Sequence, residues 1–367
     1  MNRIVGFIIF VSIASLIYFS LHLFVYKFIA AALSLSPHAR KYLKLFLWFS
    51  GLSFIISMLL SRLLNIHFLN YYAYVWMGII AISFFVLLIT WVAVKFVPAH
   101  TQTLTFIALG IIGLITLISL FNGLQKPTVK NITVPIKDLP EKLSGFTIIQ
   151  ISDLHMEIFK SKKLIPYIVD KVNSLKPDLV AITGDLIEDE VCEKSRFCEQ
   201  LKQLKATHGV IAITGNHEFY AGIKHFEKLS EKAGFKVLRN QAVTIADELQ
   251  VIGLDDDDGR RMGEGGPDLD GAIKNCDPTK PMILLYHRPA RFAEAVAKGV
   301  DLQLAGHTHA GQIPPMDLIV SFYYKYPAGL YEKDGAYIYT SSGTGYWGPP
   351  MRFLSRNEIV RITLIPK

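Results

Sequence analysis

The chain has 367 residues, a positive mean hydropathy of +0.33 and a formal net charge of +7. No Asp or Glu precedes Asp138, and seven of the 38 Lys and Arg fall before residue 126, so the other 31 bases meet all 31 acids in the remainder. The surplus charge therefore flanks apolar runs and forms no basic face, which excludes nucleic acid as the partner implied by a pI near 9.1.

Four uncharged apolar runs come first: Ile4–Tyr26, Leu45–Ser61 with an extension to Leu64, Tyr71–Val94 and Leu104–Leu124. Each approaches the ~17–25 residues that cross a bilayer core as a helix. Arg62 is placed to snorkel to the interface, and Tyr71, Tyr72, Tyr74 and Trp91 bracket the third run as interfacial aromatics do. The first run is too long for a signal-peptide apolar core, and three more spans follow it. His22 is the one ionisable side chain well inside a run, which favours an anchor with a helix-pairing histidine over a transport unit. Lys27, Arg40, Lys41, Lys44 and Lys95 occupy the first and third loops. By the positive-inside rule they place the following domain outside the cytoplasm, although counting Lys126, Lys130 and Lys137 evens the balance.

Residues 126–142 contain Pro127, Pro135 and Pro140 and read as a polar linker between a membrane region, 1–125, and a second domain, 143–367. In that domain short β-branched runs alternate with amphipathic stretches. Strands are expected at Phe146–Ser152, Asp178–Thr183, Gly209–Thr214, Lys236–Leu238, Val251–Leu254, Met282–Tyr286, Leu302–Ala305, Ala336–Ser341 and Glu358–Leu364. Helices are expected at Lys162–Leu175, Lys194–Lys205 and Phe226–Lys232, giving a layered α/β domain. Cys192, Cys198 and Cys276 form no CxxC pair, so a zinc ribbon and a disulfide framework are both excluded. A local Cys192–Cys198 bridge stands as the alternative to free thiols.

Metal-capable residues follow five of these strands: Asp153-Leu154-His155, Gly184-Asp185, Gly215-Asn216-His217-Glu218, His287, and Gly306-His307-Thr308-His309. The C-terminal edge of an α/β sheet is where ligands bind, so the five strand ends would bring Asp, Asn and His to one rim. Oxygen and imidazole donors without thiolate suit Mn, Fe, Zn or similar ions. Five of the seven histidines beyond residue 125 lie in these blocks, while His208 and His225 read as solvent-facing. The acidic run Asp255–Asp258 reads as a solvated turn, with Arg260 and Arg261 either pairing with it or meeting a substrate phosphate.

In order and spacing the five blocks resemble the calcineurin-like metallophosphoesterase superfamily, whose pattern is D-x-H, G-D, G-N-H-D/E, H and G-H-x-H. The resemblance runs from Asp153 to His309 and leaves the membrane region without a counterpart. It implies a four-layer α/β/β/α sandwich and two divalent metal ions. One ion would be held by Asp153, His155, Asp185 and His309. The other would be held by Asp185, Asn216, His287 and His307, with Asp185 bridging. A hydroxide shared by the two ions would attack phosphorus in line. His217 would serve the leaving oxygen, oriented by a nearby carboxylate. Gly184-Asp185-Leu186-Ile187-Glu188 lacks the Asp-Arg-Gly continuation of the Ser/Thr protein phosphatases, which argues against a protein substrate. The run Gly343-Thr344-Gly345-Tyr346, with Pro349 and Arg352, is similar to that of bacterial membrane-linked members, whose glycines pack near the site.

The expectation is a membrane-anchored hydrolase of a phosphoester or pyrophosphate bond, with a phosphorylated small molecule or lipid as substrate. The aromatic stretch Leu318–Tyr326 reads either as a lip dipping into the membrane or as a core strand. The competing readings are a non-catalytic metal-binding scaffold, disfavoured because His217 is retained, and a transport unit with an attached hydrolase.

Overall fold

The computed structural model describes residues 3–64, 66, 68–156, 158–188 and 197–367. The chain divides into two compact units.

The first comprises Met1–Leu124 with two short segments, Gln312–Asp317 and Gly348–Leu354. Its helices are α1 (Arg3–Ala32), α2 (Pro37–Leu64), α3 (Phe68–Phe96) and α4 (Thr101–Leu124). Among the described residues these four are long and apolar enough to cross a membrane. Much of their surface is exposed and apolar, including Leu16, Phe49, Leu63, Phe106 and Leu117, as expected of helices whose solvent is lipid. Their interior holds Val25, Trp76, Ile80, Leu87 and Ile112 together with Ile313 and Met351 from the two short segments. His22 does pair helices: its Nε2 accepts from Trp76 Nε1 at 2.9 Å, linking α1 to α3. The 348–354 segment is threaded tightly. Arg352 N donates to Ser119 O at 2.8 Å, and a Cβ on Gly123 would lie 2.4 Å from Pro350 O.

The second unit is built on two six-stranded sheets. Its strands are β1 (Thr128–Ile136), β2 (Thr147–Ile151), β3 (Leu179–Ile182), β4 (Val210–Ala212), β5 (Lys236–Val237), β6 (Gln241–Ile245), β7 (Leu249–Gly253), β8 (Met282–Leu285), β9 (Leu302–Ala305), β10 (Gly329–Lys333), β11 (Ala336–Thr340) and β12 (Glu358–Pro366). The helices are α5 (Ile158–Ser174), α6 (Phe197–Leu201), α7 (Asn216–Ala221), α8 (Ile223–Ala233), α9 (Asp258–Met262), α10 (Leu269–Ile273), α11 (Phe292–Ala297) and α12 (Met316–Tyr323), the first two residues of α12 falling in the first unit. One sheet runs β1-β12-β2-β3-β4-β5, with β2 to β5 parallel; the other runs β10-β11-β9-β8-β7-β6, with β11, β9, β8 and β7 parallel. Ile148, Leu179, Ala181 and Ile211 of the first sheet meet Val251, Ile283, Leu285 and Leu304 of the second in a dry layer. The opposite faces pack on α5, α6 and α8 in one case, and on α10 and α11 in the other. This is the four-layer α/β/β/α sandwich. Strands β2, β3, β8 and β9 are buried throughout, which explains why β3 and β8 read as unbroken apolar runs and β2 and β9 are interrupted only by Thr147, Gln150 and Gln303.

Three expectations change. The linker is largely strand: β1 pairs in parallel with β12 from Thr128↔Glu358 to Ile136↔Pro366. Pro135 is tolerated because β1 is an edge strand. The stretch after His309 is no core strand, since Met316–Tyr323 is helical with no buried residue. The helix expected at Lys194–Lys205 is described only from Phe197, and Cys192 lies outside the described residues. Cys198 and Cys276 are free.

Candidate metal centre

Each motif residue follows a parallel strand closely: Asp153 and His155 after β2, Asp185 after β3, Asn216 and His217 at the start of α7 after β4, His287 after β8, His307 and His309 after β9. Both sheets thus contribute to one rim. Asp153, His155, Asp185, His307 and His309 all have φ between 45° and 70°, the left-handed region that side chains ordinarily avoid. Strain of this kind persists where surrounding structure over-determines it, typically at functional sites. Gly184 lets the loops close: a Cβ there would lie 2.6 Å from His287 Nδ1 and 2.8 Å from Gly215 N. At Gly306 a Cβ would lie 2.2 Å from Asp153 Oδ2.

Three overlapping groups of donors form. Asp153, His155 and His309 make the first, with His155 Nε2 3.0 Å from His309 Nε2 and His309 Nε2 3.4 Å from Asp153 Oδ1. Asp185, His287 and His307 make the second. His287 Nε2 lies 3.2 Å from both Asp185 Oδ2 and His307 Nδ1, and Asn216 Oδ1 is 2.9 Å from His307 Nδ1. Asp185 Oδ2 also lies 3.6 Å from His155 Nε2, so one carboxylate oxygen faces both groups.

The surrounding hydrogen bonds select tautomers. His155 Nδ1–H donates to Glu188 Oε2 at 2.7 Å, and His287 Nδ1–H donates to Thr183 O at 2.8 Å. Each ring then turns an Nε2 lone pair inward, the arrangement metal-binding histidines require. Lone pairs converging at about 3 Å repel unless a cation or proton lies between them, so the donor set fits divalent ions. The electrostatics agree. Burial opposes charge on His287, yet Asp185 and Asp153 raise it to about 10. Burial alone would raise Asp185, but His287, His217 and His155 hold it well below the usual carboxylate range. The pocket is thus electronegative and draws positive charge.

His217 makes the third group with His155 and Asp185. Its backbone N–H donates to Asp185 Oδ1 at 2.9 Å, and its Nδ1 lies 3.1 Å from Glu188 Oε2. Burial disfavours its charged form, but Glu188 and Asp185 raise it to about 9. Burial likewise opposes ionisation of Glu188, whose bonds from His155 and His217 nevertheless hold it far below its ordinary value.

The family of calcineurin-like phosphoesterases matches residues 146–311, the span holding all five blocks. An uncharacterized metallophosphoesterase of Aquifex aeolicus is 35% identical over 239 residues, covering 64% of this chain and 91% of that protein. The chain belongs to the calcineurin-like metallophosphoesterases. An uncharacterized metallophosphoesterase of Helicobacter pylori strain J99 is 37% identical over 249 residues, covering 67% of this chain and 66% of that one. A transmembrane protein with metallophosphoesterase domain from Danio rerio is 34% identical over 272 residues, covering 71% of this chain and 62% of that one. The chain thus spans just under two thirds of the length of these last two relatives.

The structure brings Asp153, His155, Asp185, Asn216, His217, His287, His307 and His309 together. It adds supporting residues that motif reading left without a role. Glu188, three positions after Asp185, is the carboxylate shared by two histidines. Glu218 is buried and accepts from the backbone N–H groups of Gly215, Asp185, Leu186 and Ile187 at 2.6–3.1 Å, so it caps α7 and ties the loops after β3 and β4 together. Burial and the charge of Asp185 push it up to about 7. Thr344 N and Gly345 N donate to Ser152 O and Asp153 O, placing that glycine-rich run against the metal loop as expected. Pro349 and Arg352 belong instead to the helical unit.

The acidic run is not solvated. Asp255, Asp256 and Asp258 are buried and paired: Arg239 with Asp255 at 3.0 Å, and Arg288 with Asp256 at 2.7 Å and with Asp258 at 2.9 Å. Arg261 pairs with Asp258, whereas Arg260 reaches Pro267 O. His208 is exposed and stacks on Phe146; His225 is half-buried.

Proposed function

We propose that this metallophosphoesterase is dinuclear and hydrolyses a phosphoester or pyrophosphate bond in a lipid or nucleotide-linked lipid at the membrane. The observation that carries the reading is Asp185 Oδ2 facing both donor groups with His217 alongside, held by Glu188. Asp153, His155, Asp185 and His309 would hold one ion, and Asp185, Asn216, His287 and His307 the other. When bound, two divalent ions supply Lewis acidity toward a phosphoryl oxygen and lower the pKa of water.

The remaining chemistry falls to side chains. Glu188 accepts the Nδ1–H of His217, fixing the ring and favouring its protonated form. The other ring nitrogen is then free to give a proton to the departing oxygen. The second carbon–oxygen arm of a diester is no obstacle to this scheme, so the ester preferred is a matter for assay. A lipid-borne substrate is supported by the four apolar helices of the same chain and by the exposed apolar helix α12. We read the protein as a multi-pass protein of a bacterial cell membrane with its catalytic domain outside the cytoplasm.

The test is hydrolysis of bis(p-nitrophenyl) phosphate, p-nitrophenyl phosphate and a panel of phospholipids by the purified chain, with metal content measured alongside. Turnover with about two ions per chain is expected. Metal binding without cleavage of any ester would return the chain to the scaffold reading. Cleavage of soluble esters alone would remove the lipid.

A further inference from the structure

Helix α12 has no buried residue, and from Leu318 onward it belongs to the second unit. Phe322 is 92% exposed and Tyr323 80%, while Leu318 and Ile319 are about half exposed. At ~100° per residue these four side chains share one face of the helix. Lys, Arg and Glu are absent from Met316–Tyr323, and Asp317 lies off that face. Isolated apolar residues on a surface need no explanation, but a contiguous face ending in two nearly bare aromatic rings does.

Two observations indicate what covers it. Gln312–Asp317, the segment leading into α12, packs within the helical unit, and Ile313 is buried among Trp76, Ile80 and Ile112 of the membrane-crossing helices. The first turn of α12 therefore begins three residues from a side chain seated in that apolar interior. The composition, Leu-Ile-Val-Ser-Phe-Tyr followed by Tyr324 and Lys325, is that of a segment lying in the headgroup region, with apolar residues inward and Tyr and Lys at the polar level.

We propose that α12 inserts its Leu318, Ile319, Phe322 and Tyr323 face into the lipid bilayer and so holds the rim of the metal centre against the headgroup layer. The link to the rim is short. The Tyr323 and Tyr324 rings are 4.9 Å apart, and Tyr324 lies 5.8 Å from the ring of His307. A phosphoester in the headgroup layer would then reach the site without the lipid leaving the bilayer. This purpose rests on the lipid reading of the function; the bilayer contact itself does not.

The experiment uses the full chain in lipid nanodiscs, with Cys192→Ser and Cys276→Ser and a nitroxide at Phe322→Cys or, as an aqueous control, at Lys274→Cys. Collisions with oxygen, which partitions into lipid, and with a water-soluble nickel chelate are measured. The 322 label is expected to be reached by oxygen and shielded from nickel, and the 274 label the reverse. Nickel access at 322 equal to that at 274 overturns the proposal, because the face is then in water. Shielding from both reagents also overturns it, because protein then covers the face.

A second arm pairs Ile319→Asp with Phe322→Asp. Hydrolysis of a vesicle-embedded phosphodiester is expected to fall at least about 10-fold, with the rate on soluble bis(p-nitrophenyl) phosphate unchanged. No change on either substrate, or an equal fall on both, overturns the docking role. If the wild type cleaves the soluble ester and no lipid, the lipid reading fails while the nitroxide result still decides whether α12 is inserted.

Discussion

Two clusters of buried acids in this domain behave oppositely in space. The loops after β2, β3, β8 and β9 gather Asp153, Asp185 and histidines whose lone pairs face one another, and among the described residues no arginine or lysine forms an ion pair with either carboxylate. The loop after β7 gathers Asp255, Asp256 and Asp258, and each carboxylate is answered by a guanidinium from Arg239, Arg288 or Arg261. A cluster of acids is thus not a cation site in itself. What decides is whether the fold supplies the counter-charge or leaves it to be recruited. Arg288 sits immediately after His287, so one short loop delivers an imidazole to the unneutralised group and a guanidinium to the neutralised one.

Substitutions can break this contrast. The largest effect is expected from Asp185→Asn, which removes the one carboxylate facing both donor groups. Metal content should drop and turnover should fall by about 10³-fold or more, read by metal analysis and ester hydrolysis on one preparation. Retention of two ions with normal rates would refute the bridging role. His217→Ala should cost about 10²–10⁴ in kcat and leave metal content unchanged, since its task concerns the leaving oxygen. Loss of an ion in that variant would make His217 a ligand.

Asp256→Ala should act on the other side of the contrast. It strips Arg288 of its main buried partner and should lower unfolding stability by about 3 kcal/mol in a denaturant titration, with metal stoichiometry intact. The mildest change is Glu188→Gln, which keeps the shape but loses the charge shared by His155 and His217. A fall of about 10–100-fold in activity or metal affinity is expected, as for other residues that orient metal-binding histidines.

Much of the site was legible because its chemistry is local in sequence. Four of the five blocks are a strand end, a small residue and a donor, His287 following Tyr286 instead, and the buried strands announce themselves as largely apolar runs. The four spans were legible because lipid leaves no room for charge. What escaped depends on contacts distant in sequence. Asp255–Asp258 reads as a solvated turn until Arg239 and Arg288 arrive from other loops. β1 reads as a connector because of its prolines, although Ile132, Val134 and Ile136 carry the period-two signal of a strand. The aromatic stretch at Leu318 was undecidable by pattern, since a short apolar run fits helix and strand equally. The left-handed backbone at Asp153, His155 and Asp185 has only a weak signature in residue type, since Asp and His tolerate it better than most side chains but adopt it rarely.

The placement of β12 has a consequence for biosynthesis. It lies between β1 and β2 in the sheet, yet nearly the whole domain separates it from both along the chain. A translating ribosome releases β1 and β2 early, and each waits for its neighbour until residues 358–366 emerge. Closure of the first sheet therefore waits for residues 358–366. Until then the nascent chain carries two open strand edges, the condition under which chaperone engagement and aggregation compete.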